Sequence, residues 1–194
     1  MTPLTLRTAL WISASLLVFA TPDAGAAQEA ASQPSPRAAE ARRLIASDDP
    51  YQRQLGFLRL EALREPGTAD LIRPYLDNRD PDLRADALRA LAAIEGPAAV
   101  PALLKALDDD PHPRVRRAAL LGLEPLQPSN PQVLPAFLAA LRDRKPEVRM
   151  TAVDVVSRVD DPRAREAILV RNKRERDRNV QRALALAMER LGGS

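Results

Sequence analysis

Residues 80–94, DPDLRADALRALAAI, recur in altered form as HPRVRRAALLGLEPL at 112–126 and KPEVRMTAVDVVSRV at 145–159, with looser copies DPYQRQLGFLRLEAL at 49–63 and DRNVQRALALAMERL at 177–191. Aligning the copies puts Arg53, Arg84, Arg116 and Arg149 in one column, broken by Gln181, at spacings of 31, 32, 33 and 32 residues. A period of that size is one pair of helices whose apolar side can be buried only by a neighbouring pair, so successive pairs must stack. The repeats fill nearly everything after residue 36 of the 194. One solenoid is therefore expected rather than separate globular domains.

Each unit reads as two helices. The first is short and often contains proline: RAAEARRLIAS, GTADLIRPYLD, GPAAVPALLKALDD, NPQVLPAFLAALRD and PRAREAILVRNKR. The second is the motif above and usually opens on proline, at Pro50, Pro81, Pro113 and Pro146. Proline costs little at the first helical position, because the N–H it lacks has no partner inside the helix. Asp49 and Asp80, just before their prolines, are N-cap residues. Pro101 falls early in its helix, whereas Pro74 and Pro135 are expected to kink theirs. In the second helices Leu83, Ala87, Leu91 and Ile94 match Val115, Ala119, Leu123 and Leu126, then Val148, Ala152, Val156 and Val159. Steps of four, four and three hold these on one helical stripe. The small residue of the stripe, Gly56, Ala87, Ala119 or Ala152, lets paired helices approach closely, and Leu184 replaces it in the last copy.

Composition narrows the chemistry. Hydrophobic residues make up 45% of the chain but aromatics only 3%, which suits thin Leu/Ala layers and gives no reason to expect strands. The absence of cysteine excludes disulfides, thiolate metal sites and cysteine nucleophiles. His112 is the sole histidine and precedes a proline at a turn, so no metal site is expected. No Gly-rich phosphate loop, G-x-S-x-G elbow or H-E-x-x-H occurs. The paired acids at 48–49, 108–110 and 160–161 lie at turns, where such residues cap helices. No catalytic residue and no cofactor are expected.

The N-terminus reads as a leader. Arg7 precedes an apolar run of 12 residues, Ala9 to Ala20, and Ala24-Gly25-Ala26 supplies the small residues a signal peptidase recognises. A membrane-spanning helix needs about 20 apolar residues. Residues 1–26 are thus expected to be a secretory signal peptide cleaved after Ala26, residues 27–36 a flexible spacer, and the mature protein periplasmic or secreted, with no membrane span.

The first helix with its internal proline, then Asp, a short turn, Val or Leu followed by Arg, and a small residue further on, resembles HEAT repeats. It is similar in particular to the short bacterial HEAT-like type found in phycobilisome-lyase-related proteins. Asp110 with Val115-Arg116 and Ala119 carries the pattern, as do Asp143 with Val148-Arg149 and Ala152, and Asn78 with Leu83-Arg84 and Ala87. The resemblance implies an all-α fold, a right-handed α-solenoid (ARM/HEAT-like superhelix) of about five helical hairpins. The repeat domain would span residues 37–192, in units of about 37–65, 66–95, 96–127, 128–160 and 161–192. It further implies a structural ladder between neighbouring units, drawn from Arg53, Arg84, Arg116 and Arg149 with Asp110 and Asp143, and a concave face lined by the second helices. The outer units depart from the pattern at Ser47 with Gln52-Arg53 and at Glu175 with Val180-Gln181. From the residues alone, the arginine column reads either as a row of anion ligands or as side chains that each span a turn to an acidic side chain or a free helix-end carbonyl, and the recurring Asp six residues upstream favours the second. Repeated His-Glu pairs, which hold a di-iron centre in one HEAT-like enzyme, do not occur here.

Helical phase then selects candidate binding residues. Six residues after the Val or Leu that starts the apolar stripe stand Leu58, Arg89, Leu121, Asp154 and Leu186, nearly opposite the buried stripe; two after it stand Gln54, Ala85, Arg117, Met150 and Arg182. By the family's geometry both rows face the concave side. Leu58, Arg89, Arg117, Leu121, Met150, Asp154, Arg182 and Leu186 are the expected partner-binding residues, for a protein or peptide. A second surface is the stretch Arg163–Arg182, which holds eight Lys or Arg against three acids and suits an anionic polymer or lipid headgroup. Nucleic acid is not expected, since no aromatic there can stack on a base. The reading is an exported, non-enzymatic scaffold. The alternatives are an enzyme or enzyme accessory of the lyase-like HEAT group, and an adaptor for anionic envelope polymers.

Overall fold

The computed structural model describes residues 35–192, which fall within a single packed unit; the expected leader and all but the last two residues of the expected spacer lie outside them. Every regular element among the described residues is helical. The helices, in order, are α1 (Pro36–Ile45), α2 (Pro50–Leu63), α3 (Ala69–Ile72), α4 (Pro81–Glu95), α5 (Val100–Asp109), α6 (Pro113–Leu123), α7 (Val133–Ala140), α8 (Pro146–Val156), α9 (Pro162–Asn172) and α10 (Arg178–Gly192). Odd-numbered helices are the first members of the hairpins and even-numbered helices the second. The stack begins at Ser35, which caps α1 by accepting the Ala38 N–H, so residues 35 and 36 belong to the fold rather than to the spacer.

Helix starts follow the sequence. Pro50, Pro81, Pro113 and Pro146 each open a second helix. Asp49 and Asp80 accept the N–H two residues on, as N-caps should. His112 does the same through Nδ1, receiving the Arg114 N–H at 3.3 Å, and so caps α6 at an exposed turn. The prolines of the first helices act differently from expectation. Pro135 is the third residue of α7 and lies within its first turn, where a missing N–H breaks no bond, so no kink arises. Pro74 shortens its helix instead: α3 ends at Ile72 and the chain continues as a 3-10 turn, Arg73–Tyr75.

The core is a series of layers between consecutive hairpins. Ala87, Leu91, Val115, Ala119, Leu123, Val148, Ala152 and Val156 are all buried, as the stripe requires, with Ile94. Leu126 and Val159 lie beyond their helix ends and still pack against the core. Leu184 is fully buried in the last hairpin. From the first helices Ile72, Leu103, Phe137 and Ile168 fill the same layers, and truncating one such side chain to alanine costs about 2–5 kcal/mol. An edge-to-face pair, Phe57 with Tyr75 at 5.3 Å between centroids, joins the first two units. Second helices pack on one another from α2 to α10 more extensively than first helices do, which makes theirs the tighter face.

Two glycines fix local geometry. Gly96, at φ 54°, turns the long apolar run of 81–109 into two helices, α4 and α5. Gly56 lets α1 lie directly on α2: a Cβ there would stand 2.7 Å from both Cγ1 and N of Ile45 and 2.9 Å from the Ala41 carbonyl oxygen. Two of these contacts are backbone and cannot swing aside. Gly56→Ala is therefore expected to lower stability by about 1–3 kcal/mol, measured by urea unfolding, while Gly67→Ala, with nothing within 4 Å of its Cβ, leaves the midpoint nearly unchanged.

Candidate functional site

The column of arginines forms a continuous ladder at the turns inside the hairpins. Each uses Nη1 to cross its own turn and donate to the backbone carbonyl six residues upstream: Arg53 to Ser47 at 3.0 Å, Arg84 to Asn78 at 2.7 Å, Arg116 to Asp110 at 2.8 Å and Arg149 to Asp143 at 2.9 Å. In Arg84, Arg116 and Arg149 the other edge, Nε and Nη2, grips the carboxylate of the next unit in the bidentate manner guanidinium geometry favours. Arg84 holds Asp110 at 2.8 and 2.9 Å, Arg116 holds Asp143 at 2.7 and 2.8 Å, and Arg149 holds Glu175 at 2.9 Å twice. The acid six residues upstream thus contributes its carbonyl, not its carboxylate, because the carboxylate is already taken by the preceding unit. Each acid also accepts a backbone N–H two residues on, from His112, Lys145 or Asp177, which tightens the turn.

The two ends of the ladder differ. Glu175 replaces aspartate and is the most enclosed acid of the series, its side chain 1% exposed, held by Arg149 and Arg171 and by the Arg176 and Asp177 N–H groups. Gln181 stands in for arginine and keeps the carbonyl bond, Nε2 to Glu175 O at 2.9 Å. At the other end the acid position is Asn78, and the Nε of Arg53 is buried with no acceptor. Burial alone would raise the Glu175 carboxyl, but its donors outweigh that and bring it from 4.5 to about 2. Asp110 and Asp143 are likewise lowered, burial being overcome by Arg84 and Arg116.

The phase-selected residues lie on the second helices. Leu58, Leu121, Met150 and Leu186 are exposed, Arg182 is exposed, and Arg89, Arg117 and Asp154 are half-buried. Ala85, from the same rows, is completely buried, because α6 packs against its helix α4. Arg89, Arg117 and Leu121 come together in a groove of about 420 Å3 between α4 and α6, which Arg114 and Glu147 also line. Met150, Asp154, Arg182, Leu186 and Leu58 are outside this groove. Asp154 is tied to Arg158 at 2.8 Å and to Arg190 of the next hairpin at 3.4 Å.

Two buried polar side chains set the groove's charges. Asp86, 4% exposed, binds Nη2 of Arg89 at 2.7 Å; its enclosure raises its pKa, offset in part by Arg89. Thr151 accepts from Nε of Arg117 at 3.0 Å and donates to the Glu147 carbonyl oxygen. Arg114 is bridged to Asp82 of the preceding unit at 3.0 Å. The guanidiniums are thereby fixed before any ligand arrives. Asp86 and Thr151 escape a reading based on apolar periodicity. Their trace in the sequence is a polar residue two after the ladder arginine, where Ala118 stands in the third unit. Among the described residues no group of three or more His, Asp or Glu side chains could hold a metal ion.

A stack of helical hairpins joined by such a ladder defines an α-helical repeat protein. HEAT repeats match residues 38–124 and 103–189, and the chain belongs to the HEAT repeat family. Among solved structures it is similar to the complex of CpcE and CpcF of phycocyanin lyase from Nostoc, with TM-score 0.65 and 20% identity over 78% of this chain and 97% of that one. It also resembles an engineered protein, with TM-score 0.50 and 18% identity over 85% of this chain and 87% of the other. No curated protein matches the sequence.

The ladder makes two predictions. Asn78→Asp supplies the missing carboxylate to Arg53 and should raise stability by about 1 kcal/mol, read from the urea midpoint; no gain would show that Arg53 is not waiting for an anion. Glu175→Gln should cost on the order of 3 kcal/mol, since it leaves Arg149 and Arg171 enclosed without a counter-ion. Because the folded pKa of Glu175 lies below its unfolded value of 4.5, its contribution is complete above that pH and is lost as pH falls toward about 2. The difference in stability between the native chain and Glu175→Gln should therefore shrink over that window in acid-titrated melts.

Proposed function

We propose that this chain is an exported, non-enzymatic scaffold that binds a protein or peptide along the face built by its second helices. What carries the reading is the groove between α4 and α6, where exposed Leu121 stands among guanidiniums held from beneath by Asp86 and Thr151. A fixed mixture of apolar and cationic groups favours a short segment with an apolar side chain next to a carboxylate, and little ordering is needed on binding. Met150, Arg182 and Leu186 extend the same chemistry along the second helices. The Nostoc complex is named as a lyase; at 20% identity the likeness carries the fold and not the chemistry.

A second surface has an observation of its own. A cleft of about 500 Å3 between α7 and α9 has Leu138, Leu141 and Val170 beside Arg142, Arg163, Arg171 and Arg174, against Glu166 as the acid. This supports an accessory contact with an anionic polymer or lipid headgroup.

Peptides selected from a random library on the immobilised chain should lose at least about tenfold in affinity with Leu121→Asp. Leu169→Asp, at an equally exposed leucine on α9, should leave binding unchanged. Equal binding by the native chain and Leu121→Asp removes the groove from the reading.

A further inference from the structure

Helix α2 is apolar on two sides. Gly56, Phe57 and Leu60 face the core, while Tyr51, Leu55, Leu58 and Ala62 are exposed. Steps of four, three and four place those four residues on one stripe with the spacing of a helix–helix seam. Tyr51, Leu55 and Leu58 are 82%, 42% and 46% exposed, a continuous apolar strip rather than scattered surface leucines.

Leu55 shows what this strip faces. It stands two residues after the ladder arginine, where the following units carry Asp86, Ala118 and Thr151, buried to 4%, 5% and 8% exposure. Thr151 and Ala118 are turned toward the preceding hairpin: Thr151 receives its hydrogen bond from Arg117 of α6, and Ala118 lines one groove with Ala85 and Arg89 of α4. In the first hairpin no described unit precedes, so Leu55 occupies the open end of the stack. It is also a leucine where two of the inner units carry alanine and threonine.

We infer that a second copy of this chain covers the strip, α2 lying antiparallel on its counterpart in a closed two-fold dimer. With the axis passing between Gly56 and Phe57, Leu55 meets Leu58 of the other copy and Tyr51 meets Ala62. Gln54 then stands opposite Arg59, and Gln52 opposite Glu61, so no like charges face each other along the helix. Head-to-tail stacking is disfavoured. The other end of the stack exposes Arg182 and Glu189 beside Leu186, and pressing those charges onto an apolar strip would strip their water without a counter-ion. The self-complementary contact closes instead of growing into a filament.

The test is the mass of residues 27–194, which contain the whole packed stack, by sedimentation equilibrium across the micromolar range. A dimer is expected, and Leu55→Asp/Leu58→Asp should weaken it by at least about tenfold at unchanged helicity; aspartate is tolerated at this helix position, as Asp86 shows. Since the chain has no cysteine, Leu55→Cys/Leu58→Cys should give a covalent dimer on oxidation. Leu121→Asp should leave the dimer intact, which separates this contact from the groove. A monomer at every concentration, including one in which the N-terminal segment covers the strip, overturns the inference. So does a dimer that survives Leu55→Asp/Leu58→Asp.

Discussion

The rung that joins an arginine to the acid of the next unit is the contact on which this architecture depends. An α-hairpin of about thirty residues has too little interior to fold alone, and apolar layers by themselves leave neighbouring hairpins free to slide along one another. A bidentate guanidinium removes that freedom, because two parallel hydrogen bonds are satisfied in one position only. The same arginine ties its own turn through a carbonyl, so Arg84, Arg116 and Arg149 each fix both the shape of a hairpin and the offset of the next. Enclosed pairs of this kind add specificity of register more surely than net stability.

The groove inherits its rigidity from that register. Arg89 is aimed by Asp86 of its own helix, and Arg117 by Thr151 of the following one, so part of the surface chemistry of one unit is set by the next. Leu121 is exposed between them because its neighbours on the helix are already committed to the core. A ligand meeting this surface finds charges that need not be reoriented. The surface differs from unit to unit: the position held by Leu121 in the third unit is Arg89 in the second and Asp154 in the fourth. The repeat thus supplies a frame common to all units, on which each displays a different side chain.

Most of the fold was legible in the chain. The period gave the hairpins, proline gave the starts of the second helices, and the stripe through Ala119 and Ala152 gave the buried face. What failed to be legible has a physical cause in each case. Pro135 was expected to kink α7 because sequence does not show that the helix begins only two residues earlier. Ala85 was expected at the surface because phase angle on one helix cannot show a neighbouring helix closing over it. Which edge of each arginine takes which group was not legible, because the acid six residues upstream and the acid about twenty-six downstream occupy the same column, one unit apart.

The sequence by itself determined that this chain stacks helical pairs and where each pair turns, because those features repeat and a repeat is visible in one dimension. Tertiary structure alone decided which partner each rung takes, that Asp86 and Thr151 lie beneath the groove, and that Tyr51, Leu55, Leu58 and Ala62 remain bare among the described residues at one end. These are contacts between units or the lack of them, and a contact between units depends on how far one hairpin is rotated against the next, which no spacing along the chain records.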